Sequence, residues 1–410
     1  MSTVPPEIAQ PAESSHSNDS YRWVVLAAAT MAQAAASFVI QGLGILAGFL
    51  QEAFHLSTSE VGLLMAASAA APIVALPIVG DLLDRQSERV IVGLGAAILA
   101  AGLICSILAP QFGVLLVCLF IVGAGYSTTQ PGGSKSVTTW FRGRQLGLAM
   151  GIRQAGLPLG GAAAAAILPI VASVWDWRVA FAVGAAVALS GGLGFSALYR
   201  SPPGLDDVGR RKRPAMTLTS FLTMLRQPWM RGVVLSGMTL VSAQLAILTY
   251  FMLFLRDDHS IQLVDGAWLM FAVQACGVAG RVILAAWSDR PGTSRFRLVA
   301  SSMIAVAAGM LMLALVPSYL SLWALVVIAA WLGFFGLGWY GPWVAFVAEV
   351  SPPESLGLAL GTAMALNQIA IFAAPPLLGL LHDLTGGYVA VWSCVAVLLA
   401  GAVWGTRRVR

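Results

Sequence analysis

Apolar runs of bilayer length follow one another along the whole chain: 23–49, 61–80, 90–109, 113–138, 146–171, 179–199, 232–255, 264–287, 298–316, 320–348, 357–380 and 388–405. Each is near or above the roughly 20 residues with which a helix crosses the hydrocarbon core. The two-residue alternation of a transmembrane barrel is absent from them. The pattern therefore predicts an all-α membrane protein of twelve transmembrane helices. Some connections are only a few residues long, as between Ala109 and Gln111, and these predict tight hairpins. The one long polar stretch, 200–230, reads as a central loop between a first six-helix bundle over 22–199 and a second over 231–410. Residues 1–21 are Pro- and Ser-rich and lack the basic start of a secretory signal, so they read as a disordered tail before a retained first helix.

Composition narrows the function classes. Of 410 residues, 58% are hydrophobic and 10% charged, against about 25% charged in soluble domains. A soluble enzyme or a nucleic-acid-binding domain is excluded, and the net charge of +5 needs only basic loops at a membrane surface. With the N-terminus placed in the cytoplasm, that side receives Arg22, Arg85, Arg89, Arg142, Arg144, Arg200, the run from Arg210 to Arg213, Arg290, Arg295 and Arg297, while Arg178 and Arg256 fall on the other. The positive-inside rule then predicts a multi-pass protein of the cytoplasmic (inner) membrane with both termini and the central loop in the cytoplasm. Cys105, Cys118, Cys276 and Cys394 are scattered through apolar runs without metal-ligand spacing, and the four histidines lie in tails or loops. No Walker loop occurs. No metal, no cofactor and no catalytic residue is expected.

The two halves echo each other. GDLLDRQSER after the second run has a counterpart in AAWSDRPGTSR after the eighth, which matches Asp84 and Arg85 to Asp289 and Arg290. Gly147 and Gly151, opening the fifth run, correspond to Gly357 and Gly361, opening the eleventh. Such repeats point to an alternating-access carrier with its site between the halves. On these residues the chain resembles the major facilitator superfamily. The family's loop pattern GxLxDRxGRR is met by Gly80, Leu82, Asp84, Arg85 and Arg89, with Ser87 where glycine is usual. The second copy keeps Asp289, Arg290 and Gly292, and WFRGRQLGLAMGIRQAG and WDWRVAF add to the likeness.

The resemblance implies secondary transport by a monomer whose loop clasps the halves together. Asp84 would sit at the N-terminus of the eleventh helix, where the dipole favours an anion by ~0.3–1 kcal/mol. Arg85 and Arg89 would pair with Glu349 or Glu354. The candidate gating residues are therefore Gly80, Asp84, Arg85, Arg89, Asp289 and Arg290; a plain solvated hairpin is the competing reading of the loop.

Three basic residues lie inside the spans: Lys135, Arg153 and Arg281. Near the bilayer centre such a group costs at least ~2.5–3.5 kcal/mol, so each calls for a reason. Lys135 is close to a helix end and can snorkel. Arg153 and Arg281, one per half, lie about seven residues inside, roughly 10 Å deep. No carboxylate shares that depth, since Asp265, Glu349 and Asp383 all sit at helix ends. In the resembling fold the fifth and eighth helices face each other, so both guanidinium groups are expected at a central cavity with a mobile anion as counter-ion. A guanidinium fork matches a carboxylate. By position Arg281 resembles the substrate arginine of monocarboxylate and oxalate carriers, although Gly277 stands where some of these have Asp or Asn. Bonding to backbone carbonyls is the competing reading.

The family lines its cavity with the first, fourth, seventh and tenth helices. Gln41, Tyr126, Gln130, Gln244, Tyr250, Trp339 and Tyr340, with Asn367 of the eleventh, complete the candidate binding set, simple packing being the alternative for the aromatics. The expected partners are a small organic anion, the lipid bilayer and protons, with proton symport or anion exchange as the mode and no nucleic acid. Two alternatives stay open. GIRQAGLPLGG partly resembles the antiporter signature GxxxGPxxGG, with Leu157 intervening between Gly156 and Pro158, which keeps a proton-driven exporter of drugs or metabolites in view; close helix packing is its plainer reading. The other alternative is a membrane sensor of the same fold that does not transport.

Overall fold

The computed structural model describes residues 15–141, 146–201, 218–288, 290, 292–315, 321–352 and 356–407. Among the described residues there are sixteen helices and no strand. The first bundle contains α1 (Ser15–Ile45), α2 (Ala47–Phe54), α3 (Thr58–Arg85), α4 (Glu88–Ile107), α5 (Phe112–Tyr126), α6 (Thr129–Trp140), α7 (Leu146–Val174) and α8 (Trp177–Leu198). After α9 (Leu218–Leu225) the second follows as α10 (Pro228–His259), α11 (Leu263–Ser288), α12 (Arg295–Leu315), α13 (Leu322–Gly338), α14 (Tyr340–Val350), α15 (Leu356–Thr385) and α16 (Tyr388–Arg407). Twelve spans are long and apolar enough to cross a membrane, with α5 joined to α6 and α13 joined to α14 in one span each. With an even number of spans, Ser15 and Arg407 lie on one face, here the terminal face; the other is the distal face.

The helix limits follow the apolar runs to within a few residues, with informative exceptions. The fourth and tenth runs are interrupted at Ser127–Thr128 and at Trp339. Pro131 and Pro342 lack an N–H, so the carbonyls four residues earlier, at Ser127 and Gly338, lose their helical partners there. The stretch 200–230 is not all loop: α9 forms within it and buries Met224. The first helix begins at Ser15, inside the expected tail, because neither proline nor glycine interrupts SHSNDSYRW and a helix once nucleated propagates. Residues 1–14 and 202–217 lie outside the described residues.

Small residues set the helix spacing in both bundles. A Cβ on Gly160 of α7 would lie 2.1 Å from the Ala34 carbonyl oxygen of α1, and one on Gly280 of α11 would lie 2.1 Å from that of Phe334 in α13. The GIRQAGLPLGG segment is accordingly a packing surface for α1. Between the bundles, α3 lies along α15 and α7 along α11. Distal ties join them: Arg256 donates to Gln51 at 2.6 Å and to Glu52 at 3.3 Å.

Near the terminal face, Lys135 does not simply snorkel. Its ammonium pairs with the buried Glu88 at 3.1 Å and donates to the Leu83 carbonyl. Tyr199 donates to the other Glu88 oxygen at 3.2 Å. Burial, with the Glu88 charge beside it, pushes the Tyr199 hydroxyl well above its ordinary pKa and keeps it a donor. Lys135→Met leaves Glu88 without its cation and is expected to destabilise the first bundle by roughly 1–3 kcal/mol, Lys135 being 40% exposed. Thermal denaturation in detergent checks this, with Glu88→Gln expected to restore most of the loss.

Candidate functional site

Proline chemistry explains how Arg281 is held. Pro158 has no N–H, so the Gln154 carbonyl lacks its partner inside α7. Arg281 of the opposite bundle takes it, Nη1 to oxygen at 3.3 Å, while its Nε donates to the Leu337 carbonyl at the end of α13 at 3.1 Å. Its guanidinium carbon lies 5.8 Å from the centre of the Tyr340 ring, within cation–π range. Nη2 is left without a protein partner among the described residues, and Arg281 keeps 7% exposure. The carbonyl bonding foreseen as the competing reading is present, yet it leaves the charge uncompensated.

Arg153 is placed differently from the expectation. It is fully enclosed within the first bundle, where Nη2 reaches the Gln130 carbonyl at 2.7 Å, the Gln130 and Gln33 side-chain oxygens at 3.1 Å each, and the Thr129 carbonyl at 3.3 Å. It thus clasps α6 just beyond the interruption of the fourth span. Gly133 makes room, since a Cβ there would lie 2.8 Å from Nε. Nε and Nη1 have no partner and are sealed from solvent. Arg153 does not border an open cavity in this conformation, because four neutral oxygens draw its guanidinium into the bundle. Tyr126 is half-buried at the end of α5, one residue before the interruption of the fourth span. Neither arginine pairs with a carboxylate among the described residues.

Around them the remaining candidates divide. Gln41 lies on the boundary, donating to the Leu157 carbonyl at 2.6 Å and accepting from Gln274 of the other bundle. Gln244 accepts from the Trp339 indole N–H at 3.0 Å, which joins those two within the second bundle. Tyr250 is fully buried and donates to the Pro375 carbonyl, making it a tie between α10 and α15. Asn367 packs against Gly237 and Trp343 with its side-chain oxygen unpartnered.

Sequence reasoning missed Gln33, Gln154, Gln274 and Gln368. Gln274 fills a notch at Gly161, where a Cβ would lie 2.3 Å from its amide nitrogen. Gln368 donates to the Ala69 carbonyl across the boundary at 3.0 Å. Gln274 and Arg281 are seven residues apart on α11, as are Gly161 and Gln154 on α7, so the antiparallel pair meets at two levels about 10 Å apart. An amide inside an apolar run was the available signal; attention to the cavity-lining helices alone passed over it on α7 and α11.

The loop candidates are only partly within view. Asp289, Glu354 and the Asp84 side chain lie outside the described residues. Arg85 bonds Asp81 one turn earlier on its own helix at 3.0 Å, and Glu349 is exposed. Arg89 and Arg290 are exposed, and a Cβ on Gly80 would meet open space.

Comparisons with known proteins agree with this architecture. An MFS-type transporter of Mycobacterium tuberculosis (strain CDC 1551 / Oshkosh) is 27% identical, over 93% of this chain and 84% of its own. A galacturonate transporter of Dickeya chrysanthemi is 25% identical, over 44% of this chain and 52% of its own. Among solved structures, a bacterial homolog of the human lysosomal transporter Spinster, in an inward-facing and occupied conformation, superposes with a TM-score of 0.76 at 17% identity, covering 95% of this chain and 97% of that one. The family profile of the Major Facilitator Superfamily matches residues 29–344, and with twelve spans in two six-helix bundles the chain belongs to that superfamily of membrane transporters.

Proposed function

We propose that this transporter moves a small organic anion, a carboxylate, across the cytoplasmic membrane by alternating access, as proton symport or anion exchange, with both termini in the cytoplasm. The observation that carries the reading is Arg281: a guanidinium at the bundle boundary, bonded only to neutral carbonyls, with Nη2 unpartnered. A cation held there without a counter-ion is costly, and an arriving carboxylate supplies both the charge and the acceptor. Galacturonate, which names one relative, is a carboxylate bearing hydroxyl groups. The amides of Gln154 beside Arg281, and of Gln41 and Gln274 about two helical turns away, are suited to such hydroxyls. The distal ties close one face, and the opposite, terminal face is the cytoplasmic side on the distribution of Arg and Lys.

The test is counterflow in proteoliposomes with labelled galacturonate, lactate and oxalate set against cationic dyes. Accumulation of at least one carboxylate and of none of the dyes is expected. Dye accumulation without any carboxylate exchange overturns the reading in favour of an exporter.

A further inference from the structure

Helices α3 and α15 run antiparallel along the boundary, so the N-terminal turn of each meets the C-terminal end of the other. The first turn of any helix presents four backbone N–H groups without intrahelical partners. In α3 two of these are satisfied locally: the Ser57 side chain accepts from the Glu60 N–H, and the Glu60 carboxylate accepts from the Ser57 N–H. The other two are satisfied from the opposite bundle. Asp383, in the last turn of α15, accepts the Thr58 N–H on one oxygen at 3.1 Å and the Ser59 N–H on the other at 2.8 Å.

The surroundings are built for that approach. A Cβ on Gly62 would lie 2.6 Å from the Pro375–Pro376 backbone, and one on Gly379 would lie 2.4 Å from the Thr58 carbonyl oxygen. Tyr250 holds the Pro375 carbonyl from α10, and His382 lies 3.4 Å from an Asp383 oxygen. An anionic acceptor on two N–H groups at the positive end of a helix makes a directional tie. It stays weak enough to break once per cycle.

We infer that Asp383 is a positioning residue for transport: by capping α3 from the opposite bundle it holds the distal face closed, and it must leave Thr58 and Ser59 before the site opens there. The α3–α15 pair then carries an acid at each end. Asp383 caps α3 when the distal face is shut; the family resemblance assigns the corresponding part at the terminal face to the loop acid Asp84. This inference rests on alternating access and not on the identity of the cargo.

Hydrogen exchange with mass spectrometry on the full chain in lipid nanodiscs tests it without any substrate. In Asp383→Ala, exchange over residues 57–65 is expected to accelerate roughly fivefold or more. Residues 82–91 on the terminal face are expected to gain protection as the equilibrium shifts. Asp383→Asn, whose amide oxygen still caps, should move the same two segments in the same directions by less, and it carries the test alone if the alanine chain is not recovered folded. Acceleration near residue 58 with no protection gained on the terminal face would show a purely local cap and overturn the proposal, as would no change in either segment.

Discussion

Arg281→Gln is expected to lower carboxylate counterflow on the order of a hundredfold while leaving the folded yield close to that of the parent. Truncating a buried, hydrogen-bonded charge partner costs about 2–5 kcal/mol, and each 1.4 kcal/mol is about tenfold in affinity. In this protein the partner is the transported anion, so the loss falls on binding. Little of it falls on stability, since the bonds to Leu337 and Gln154 are to neutral carbonyls and removing the charge also removes its desolvation cost. Arg281→Lys should remain impaired, because a compact ammonium lacks the planar fork with which Arg281 spans two carbonyls on different helices and still offers Nη2 to a carboxylate. Initial counterflow rates in proteoliposomes, with melting temperature measured in parallel, check both variants. Wild-type exchange by the glutamine chain removes Arg281 from the binding site.

Gly160→Val is expected to be the most damaging single change to the fold among those considered. Its Cβ would stand 2.1 Å from the Ala34 carbonyl oxygen and 2.8 Å from the Phe38 nitrogen. Both are backbone atoms of α1, so no side-chain rotation relieves the overlap and α1 must be pushed off α7. Overpacking of this kind costs about 1–3 kcal/mol or more, and for a chain of this length a drop in melting temperature of roughly 1–4 °C or more in detergent is the expected readout. Gly151→Ala, in the same helix but facing open space, provides the contrast and should melt like the parent. Equal melting of the two variants would show that α1 and α7 are not packed through Gly160.

These variants also mark where the sequence was legible. The depth of Arg281 follows from counting residues along an apolar run, and its lack of a carboxylate partner follows from where the acids sit. The same reasoning grouped Arg153 with it, and here the two differ. Arg153 found Gln33 and Gln130, neutral side chains whose proximity no local pattern announces, and a glycine at 133 that lets it lie flat against α6. The GLPLGG segment looked like a family signature with an intervening leucine. Its physical content is a carbonyl freed by Pro158 for Arg281, a notch at Gly161 for Gln274, and a groove at Gly160 for α1. The Asp383 cap at the other end of α3 from the Asp84 loop was not legible in the sequence.

The sequence by itself determined the membrane class, the twelve spans, the division into two bundles and the depth of the buried charges. Each depends on the length and polarity of contiguous segments, and a bilayer imposes those locally. Only the tertiary structure decided which of the two arginines is enclosed within one bundle and which lies at the boundary, which amides meet across that boundary and which acid caps which helix. Those outcomes depend on donors and acceptors that pair over 120 positions in the case of Arg153 with Gln33, 127 in that of Arg281 with Gln154 and 324 in that of Asp383 with Ser59. The helix packing brings these groups together, and no run of neighbouring residues encodes their meeting.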